Sequence, residues 1–76
     1  MPIVPTEPRP GRYRHYKGND YQVLGVAQHT ETGEQVVVYQ ALYGERGLWV
    51  RPHAMFCEHV EIGGRLQPRF AFMSES

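Results

Sequence analysis

The fold is decided by residues 36–51, which read Val-Val-Val-Tyr-Gln-Ala-Leu-Tyr-Gly-Glu-Arg-Gly-Leu-Trp-Val-Arg. Three consecutive valines followed by Tyr39 favour a pleated strand that is buried on at least one side. A polar loop between two glycines follows at residues 44–47, and residues 48–51 form a second strand with the only tryptophan of the chain. Pro52 ends that strand, because it has no N–H group with which to continue a ladder of backbone hydrogen bonds. These features predict a β-hairpin at the centre of the domain.

Short segments on both sides of the hairpin predict an all-β fold. Gly25 marks a bulge or a corner in the second strand, and Pro68 makes the last strand an edge strand or an irregular one. Residues 52–56 predict a single 3₁₀ turn that packs Met55 and Phe56 inward. Five to six short antiparallel strands with one 3₁₀ turn are typical of a small SH3-like β-barrel, and fit it better than an OB-fold. The expected strands are residues 11–16, 21–28, 35–43, 48–51, 58–62 and 65–72.

The length of 76 residues predicts one domain, which we expect to carry two short tails. Residues 1–10 contain prolines at positions 2, 5, 8 and 10 and predict a flexible, mostly extended Pro-rich tail. Because prolines at every third position line one edge of a polyproline II helix, a segment that binds an aromatic groove is the alternative. Residues 11–72 are the barrel domain, and residues 73–76 are expected to fray.

The net charge and the single cysteine limit the classes of function. Eight basic residues balance eight acidic ones, so no global field draws the protein to nucleic acid. Residues 1–17, however, hold four basic residues against Glu7 alone. Cys57 is the only cysteine, and the chain shows no signal peptide and no apolar run of membrane-spanning length. We therefore expect a cytoplasmic protein with no internal disulfide and no membrane contact.

Four blocks of sequence resemble one known family. They are Gly-Arg-Tyr-Arg-His-Tyr-Lys-Gly (11–18), Tyr-Gln-Val-Leu-Gly-Val-Ala (21–27), Val-Val-Tyr-Gln-Ala-Leu-Tyr (37–43) and Leu-Trp-Val-Arg-Pro (48–52). In this order they are similar to a bacterial family known only as domain of unknown function 1653, over about residues 11–72. The resemblance implies a stand-alone small barrel of SH3-like type. It implies no activity, cofactor or substrate, and therefore no functional residues.

Metal binding and catalysis find little support in the sequence. His53, Cys57 and His59 lie within seven residues, but zinc needs four ligands, or three with an open position, and the remaining ligand is missing. A nucleophilic Cys57 would need a lowered thiol pKa and an orienting third group, neither of which the pattern supplies. We therefore predict no metal site, no cofactor and no catalytic residues.

A cluster of aromatic and basic residues is the better candidate for a functional site. Tyrosine and tryptophan side chains combine large rings with a hydrogen-bonding group, which suits a partly wet contact surface. The hairpin between Tyr43 and Trp49, with Arg46 at its tip, is expected to expose such a platform. Tyr39, and either Tyr13 or Tyr21, are expected in the core instead. The predicted patch consists of Arg12, Arg14, Tyr43, Arg46, Trp49 and Arg51, although Arg51 has the alternative role of covering the rim of Trp49 by stacking.

Two functions of different class follow from this patch. The first is a non-enzymatic module that binds a protein or a peptide. The second is binding of single-stranded nucleic acid, with Arg12, Arg14 and Lys17 on phosphates and exposed rings stacked on bases. A structural accessory subunit, or a homodimer paired through an edge strand, is a further alternative. The expected oligomeric state is a monomer or a weak homodimer.

Overall fold

A computed structural model describes residues 8–75 of the chain, which form seven strands and one short helix. Alternation of apolar and polar residues, or runs of β-branched and aromatic residues, accounts for most of the strands. In chain order the elements are β1 (Gly11–His15), β2 (Asp20–Gln28), β3 (Gln35–Ala41), β4 (Leu48–Pro52), α1 (His53–Phe56), β5 (His59–Ile62), β6 (Arg65–Pro68) and β7 (Phe70–Ser74).

The strands form two antiparallel sheets. The larger sheet has the order β4-β3-β2-β1-β7, and β5 pairs with β6 in a separate two-stranded sheet. The predicted all-β class is confirmed, but residues 8–75 form seven strands rather than five or six and do not close into a barrel.

The expected strand at residues 65–72 is divided at Arg69, and this division separates the sheets. Pro68 cannot donate to a ladder, and the backbone of Arg69 pairs with both sides of the break. Its N–H donates to the Glu58 carbonyl (2.9 Å), and its carbonyl accepts from the Tyr16 N–H (2.9 Å). The chain therefore leaves the small sheet at β6 and enters the large sheet at β7.

The predicted irregularity in β2 occurs at Gly25. Val23 is opposite Tyr39, but Gly25 is opposite Val38, so the register shifts across Leu24. The extra residue bends the strand at this point and exposes half of Leu24. Because of the bulge, Tyr21 and Val23 before it and Val26 after it all pack against the same core.

The core lies against one face of the large sheet and under the single helical turn. Its buried members are Tyr13, Val23, Val37, Tyr39, Phe56 and Phe70. As predicted, Tyr39 and Tyr13 are buried. The rings of Phe56 and Phe70 stack in parallel at 4.1 Å between centroids. A single aromatic cluster therefore joins α1 to β1, β3 and β7.

The turn after β4 is α-helical rather than 3₁₀. The Cys57 N–H donates to the His53 carbonyl four residues earlier at 3.1 Å, which is the α-helical pattern. Phe56 points into the core with 2% of its surface exposed, whereas Met55 is 46% exposed. The prediction that both side chains pack inward was correct for Phe56 and wrong for Met55, because one helical turn can present only one of these neighbours to the core.

The two ends of the described chain meet beside β1. The Tyr13 hydroxyl donates to the Arg9 carbonyl (2.9 Å), and the Arg9 guanidinium lies 3.9 Å from the centre of the Phe72 ring. Residues 8–10 thus contact the domain. The rest of the predicted tail, which includes Pro2 and Pro5, lies outside the described residues. Strand β7 continues to Ser74, beyond the expected boundary at residue 72.

At Gly11 we expect even the addition of a single methyl group to lower the stability of the domain. Its φ is +152°, and a Cβ atom there would lie 2.6 Å from the Ser74 carbonyl oxygen and 2.9 Å from Cε1 of Phe72. We expect Gly11→Ala to lower the free energy of unfolding by about 1–3 kcal/mol, because both the backbone and the neighbouring strand must shift. Urea denaturation followed by circular dichroism measures the loss.

Gly18→Ala is the matched control, since Gly18 has φ +108° but open space around the added Cβ. Gly11→Ala should be the more destabilising variant, because it adds crowding to an unfavourable backbone angle. A loss no larger than that of Gly18→Ala would mean that β7 does not approach β1 as closely as the structure has it.

Candidate binding site on the β3–β4 hairpin

Strand β4 leaves a row of apolar side chains exposed at the edge of the large sheet. Leu48, Trp49 and Val50 are exposed to 66%, 59% and 59% of their surface. Within residues 8–75, β4 pairs only with β3. Three consecutive exposed apolar residues on an unpaired edge are unusual, because natural sheets protect their edges with charges or bulges. The predicted exposure of the Tyr43–Trp49 hairpin is present here, with Tyr43 at 47%.

The hydrogen bonds of the hairpin determine which backbone groups of β4 face outward. The Ala41 N–H donates to the Gly47 carbonyl (3.0 Å), so the opposed residues Gln40 and Leu48 form a non-hydrogen-bonded pair. Since pairs alternate along an antiparallel ladder, Val50 is also in a non-hydrogen-bonded pair. The N–H and carbonyl groups of Leu48 and Val50 therefore point to the open edge.

A pocket of about 200 Å³ lies on the core-side face of the hairpin. Trp49 and Arg51 are two residues apart on β4 and share this face, where Trp49 is opposite Tyr39. The rings of Tyr21 and Tyr39 meet edge to face at 5.3 Å between centroids, and those of Tyr21 and Tyr43 at 5.6 Å. The pocket is lined by Tyr21, Tyr39, Tyr43, Trp49 and Arg51. Four aromatic rings and one guanidinium thus line the same pocket.

Hydroxyl groups line the pocket beside the guanidinium. The hydroxyls of Tyr21 and Tyr43 are 2.7 Å apart, and Nε of Arg51 donates to the Tyr39 hydroxyl at 3.3 Å. Burial and, secondarily, the hydrogen bond with Tyr43 raise the pKa of Tyr21 to about 12. The Tyr21 hydroxyl therefore stays protonated at neutral pH. One proton serves the bond between Tyr21 and Tyr43, which leaves a second hydroxyl proton to donate elsewhere.

Three of the six residues in the predicted patch converge on this pocket: Tyr43, Trp49 and Arg51. Arg51 does not stack over Trp49 as the sequence suggested; its guanidinium lies 5.7 Å from the Phe70 ring centre. The sequence did not predict that Tyr21 and Tyr39 line the pocket. Tyr39, and either Tyr13 or Tyr21, were expected in the core, and core and pocket share one face of the sheet. The i,i+2 spacing of Trp49 and Arg51 was a usable signal, since it places both side chains on that face.

Arg46 lies at the hairpin tip and does not line the pocket. Its φ of 56° is in the left-handed region, and its carbonyl accepts a hydrogen bond from Nε2 of Gln40 (2.9 Å). The exposed tip is as predicted, but the guanidinium belongs to the loop rather than to the pocket wall.

Arg12 and Arg14 lie on the opposite face of the sheet, where Asp20 holds both. Nη2 of Arg12 is 3.0 Å from Asp20 Oδ2, and Nε of Arg14 is 2.7 Å from Asp20 Oδ1. The hydrogen bond with Arg14 is the main cause that holds the pKa of the Asp20 carboxyl below its usual value. The β1–β2 register places Arg14 opposite Asp20, while Tyr13 between the two arginines faces the core. The structure therefore separates this pair from the rings of the hairpin.

Three basic side chains lie around His15, whose ring centre is 6.5 Å from that of Tyr21 in the pocket. The His15 ring is 4.9 Å from that of Phe70, and its Nδ1 accepts the Lys17 N–H (3.1 Å). Burial lowers the pKa of His15, and the positive charges of Arg51, Arg69 and Lys17 lower it further. Arg69 is paired with the Glu58 carboxylate at 2.7 Å, so within residues 8–75 Arg51 and Lys17 are the cations around His15 that have no carboxylate partner.

The lowered pKa of His15 predicts a loss of stability in mild acid. The folded state binds the proton less readily than the unfolded chain, so the free energy of unfolding should fall as pH drops below about 6.5 and level off below the pKa of the folded state. NMR titration of the His15 ring and urea denaturation between pH 8 and pH 5 measure both effects. His15→Gln should remove this part of the pH dependence, and a His15 midpoint at or above 6.5 would contradict the account.

The histidines and the cysteine do not assemble into a metal site in the described part of the chain. Cys57 Sγ and His53 Nε2 are 3.8 Å apart on the helical turn, but residues 8–75 contain no group of three or more His, Cys, Asp or Glu side chains placed to hold a metal ion. A cavity of about 390 Å³ adjoins His53 and is lined also by Gln28, Gly33, Glu34, Gln35, Pro52 and Ala54. Its lining contains no Phe, Tyr or Trp ring and no guanidinium. The smaller pocket on the hairpin is therefore the better candidate for a binding site.

The fold is that of a small all-β domain with two antiparallel sheets, and a solved structure of a related protein has a similar fold. A profile of the family described as "Protein of unknown function (DUF1653)" matches residues 11–72. The chain belongs to this family. It is similar to a family member of known crystal structure from Bordetella bronchiseptica, with 44% identity and a TM-score of 0.84 over 93% of this chain and 94% of that one. No curated protein matches significantly.

The family and the structure assign no activity to the domain. No helix within residues 8–75 has the length and apolar character needed to cross a membrane.

Proposed function

We propose that the domain is a non-enzymatic module that binds an extended segment of a partner protein or peptide along β4. The observation that carries this proposal is the row of exposed apolar side chains, Leu48, Trp49 and Val50, on an edge strand with one pairing partner. A domain of this size has few large side chains to spare from its core. Apolar groups that it leaves at an edge are best explained by an interaction.

Strand addition is the mode of binding that this geometry favours. An incoming strand can form backbone hydrogen bonds with the outward N–H and carbonyl groups of Leu48 and Val50, as peptides do when they extend a sheet. Its side chains then alternate between Trp49 with the pocket on one face and Leu48 with Val50 on the other. Backbone pairing supplies affinity, and the aromatic pocket supplies selectivity.

A protein partner is favoured over nucleic acid because the basic residues are poorly placed for the latter. Arg12 and Arg14 share the carboxylate of Asp20 on the face away from the rings. Of the three cations predicted to contact phosphates, only Lys17 has no carboxylate partner within residues 8–75. A strand that binds β4 could also belong to a second copy of the same chain, which would be a homodimer. We expect the module to act in the bacterial cytoplasm, where the exposed Cys57 stays reduced.

Selection from a displayed library of random dodecapeptides, followed by Val50→Pro, tests the proposal. Because the Val50 N–H points outward, proline removes a donor from the open edge and none from the β3–β4 ladder. Val50→Ala is the matched control, since it shortens the same side chain and keeps the N–H. We expect selected peptides to bind the native protein and Val50→Ala with similar affinity, and Val50→Pro at least about tenfold more weakly.

The same preparations distinguish the other partners. Equal binding to Val50→Pro and Val50→Ala would contradict strand addition. Failure to select any peptide, together with salt-dependent binding of single-stranded oligonucleotides, would overturn the proposal in favour of nucleic acid. Sedimentation that shows a native dimer and a monomeric Val50→Pro would identify a second copy as the occupant.

A further inference from the structure

Within residues 8–75, the guanidinium of the pocket beside β4 has donors that form no hydrogen bond. Nε of Arg51 donates to the Tyr39 hydroxyl, and no carboxylate among the described residues pairs with this arginine. The N–H groups on its two Nη atoms form no hydrogen bond within residues 8–75. Since a guanidinium has five donors, Arg51 is able to bind an acceptor that the domain itself does not supply.

The positive charge in the pocket wall disfavours a cation as its ligand. Four aromatic rings around a small cavity would suit an ammonium group, but the positive charge of Arg51 forms part of the wall. Lys17 adds positive charge near His15, whereas the guanidinium of Arg69 is paired with the Glu58 carboxylate at 2.7 Å. The Tyr21–Tyr43 hydroxyl pair keeps one proton that it can donate to a ligand. The pocket therefore favours an anion with an apolar part that packs on Trp49.

From this geometry we propose that the pocket binds a carboxylate group of the partner peptide, which Arg51 holds through its Nη atoms. The inference rests on the proposed function and specifies the chemistry of its ligand. A carboxylate accepts two parallel hydrogen bonds from a guanidinium, and its single charge matches the single arginine of the lining. A phosphate monoester, by contrast, carries about −1.5 to −2 charges at neutral pH.

Trp49 connects the two parts of the recognition surface. It is exposed on β4 and also lines the pocket two residues before Arg51. A strand paired with Leu48 and Val50 therefore runs past the pocket mouth. Its carboxylate can come from the C-terminus of the peptide or from an acidic side chain.

Matched small probes and NMR test the carboxylate preference directly. The probes are 3-phenylpropionate, its amide, 3-phenylpropylamine and phenyl phosphate, titrated into ¹⁵N-labelled protein. Since Trp49 is the only tryptophan, its indole N–H gives a single signal, and the Arg51 Nε–H reports the guanidinium. We expect 3-phenylpropionate to shift both signals and to bind at least about tenfold more tightly than its amide.

Arg51→Met should abolish the difference between acid and amide, Arg51→Lys should keep part of it, and Arg65→Met on β6 should leave it unchanged. Two acetylated tetrapeptides then identify the source: one of uncharged residues with a free C-terminus, and one amidated with a single glutamate. Equal affinity for acid and amide, a preference for the amine, a preference for phenyl phosphate, or no binding of any probe would overturn the inference. If the carboxylate inference is overturned but selected peptides still require the β4 edge, the proposed peptide-binding function is kept without the carboxylate. If the peptides do not bind, the proposed function is wrong as well.

Discussion

A Phe56→Ala variant is expected to lose a large share of the domain's free energy of unfolding. Phe56 is 2% exposed, stacks on Phe70 and lies 5.7 Å and 5.6 Å from the ring centres of Tyr13 and Tyr39. Loss of a buried phenylalanine costs about 3–5 kcal/mol, while a domain of this length has roughly 4–11 kcal/mol of stability in total. Circular dichroism and urea denaturation measure the loss.

Met55→Ala is the matched control for this prediction. Met55 is on the same helical turn but is 46% exposed, so its truncation should change the free energy of unfolding by less than about 1 kcal/mol. A folded Phe56→Ala variant with a loss as small as that of Met55→Ala would show that α1 does not close the core.

A Trp49→Ala variant is expected to fold normally and to lose binding. The indole is 59% exposed, so its removal should change the free energy of unfolding by less than about 1 kcal/mol. The same ring lies between the open edge of β4 and the pocket, where a partner would bury it fully. Central tryptophans of interfaces contribute about 2 kcal/mol or more, which corresponds to roughly a thirtyfold loss of affinity. Titration of the selected peptides by calorimetry measures it.

Leu66→Ala controls for the loss of any exposed apolar group. Leu66 is 73% exposed on β6 of the small sheet, so it is at least as accessible as Trp49. Peptide affinity should be unchanged in this variant. If Trp49→Ala binds as tightly as Leu66→Ala, the hairpin is not the recognition surface.

Local pattern predicted the strands because each depends on neighbouring residues. Gly25 indicated the bulge in β2, and three valines followed by Tyr39 indicated a buried strand, as observed. Sheet closure was predicted wrongly, because it depends on where Arg69 pairs after Pro68, a contact between distant parts of the chain. The sequence also could not assign Met55 and Phe56 separately within one turn.

The candidate site was predicted only where it follows from a strand's alternation. Trp49 and Arg51 share a face by their spacing, and Tyr43 follows β3 into the same hairpin. Arg12 and Arg14 illustrate the limit of this reasoning. Both alternate with Tyr13 as predicted, but their pairing with Asp20 requires the exact register of β1 on β2. Tyr21 lines the pocket because the large sheet places β2 beside β3, which alternation within a single strand does not predict.

The central claim is that the aromatic and apolar groups left outside the core, on and beside β4, form the recognition surface of the domain. Chemical-shift mapping of a selected peptide on ¹⁵N-labelled protein tests it most directly. The largest changes are expected at the backbone N–H groups of Leu48 and Val50, the Trp49 indole and Tyr43. Changes concentrated instead at Arg12, Arg14 and Lys17, or on the small sheet, would contradict it.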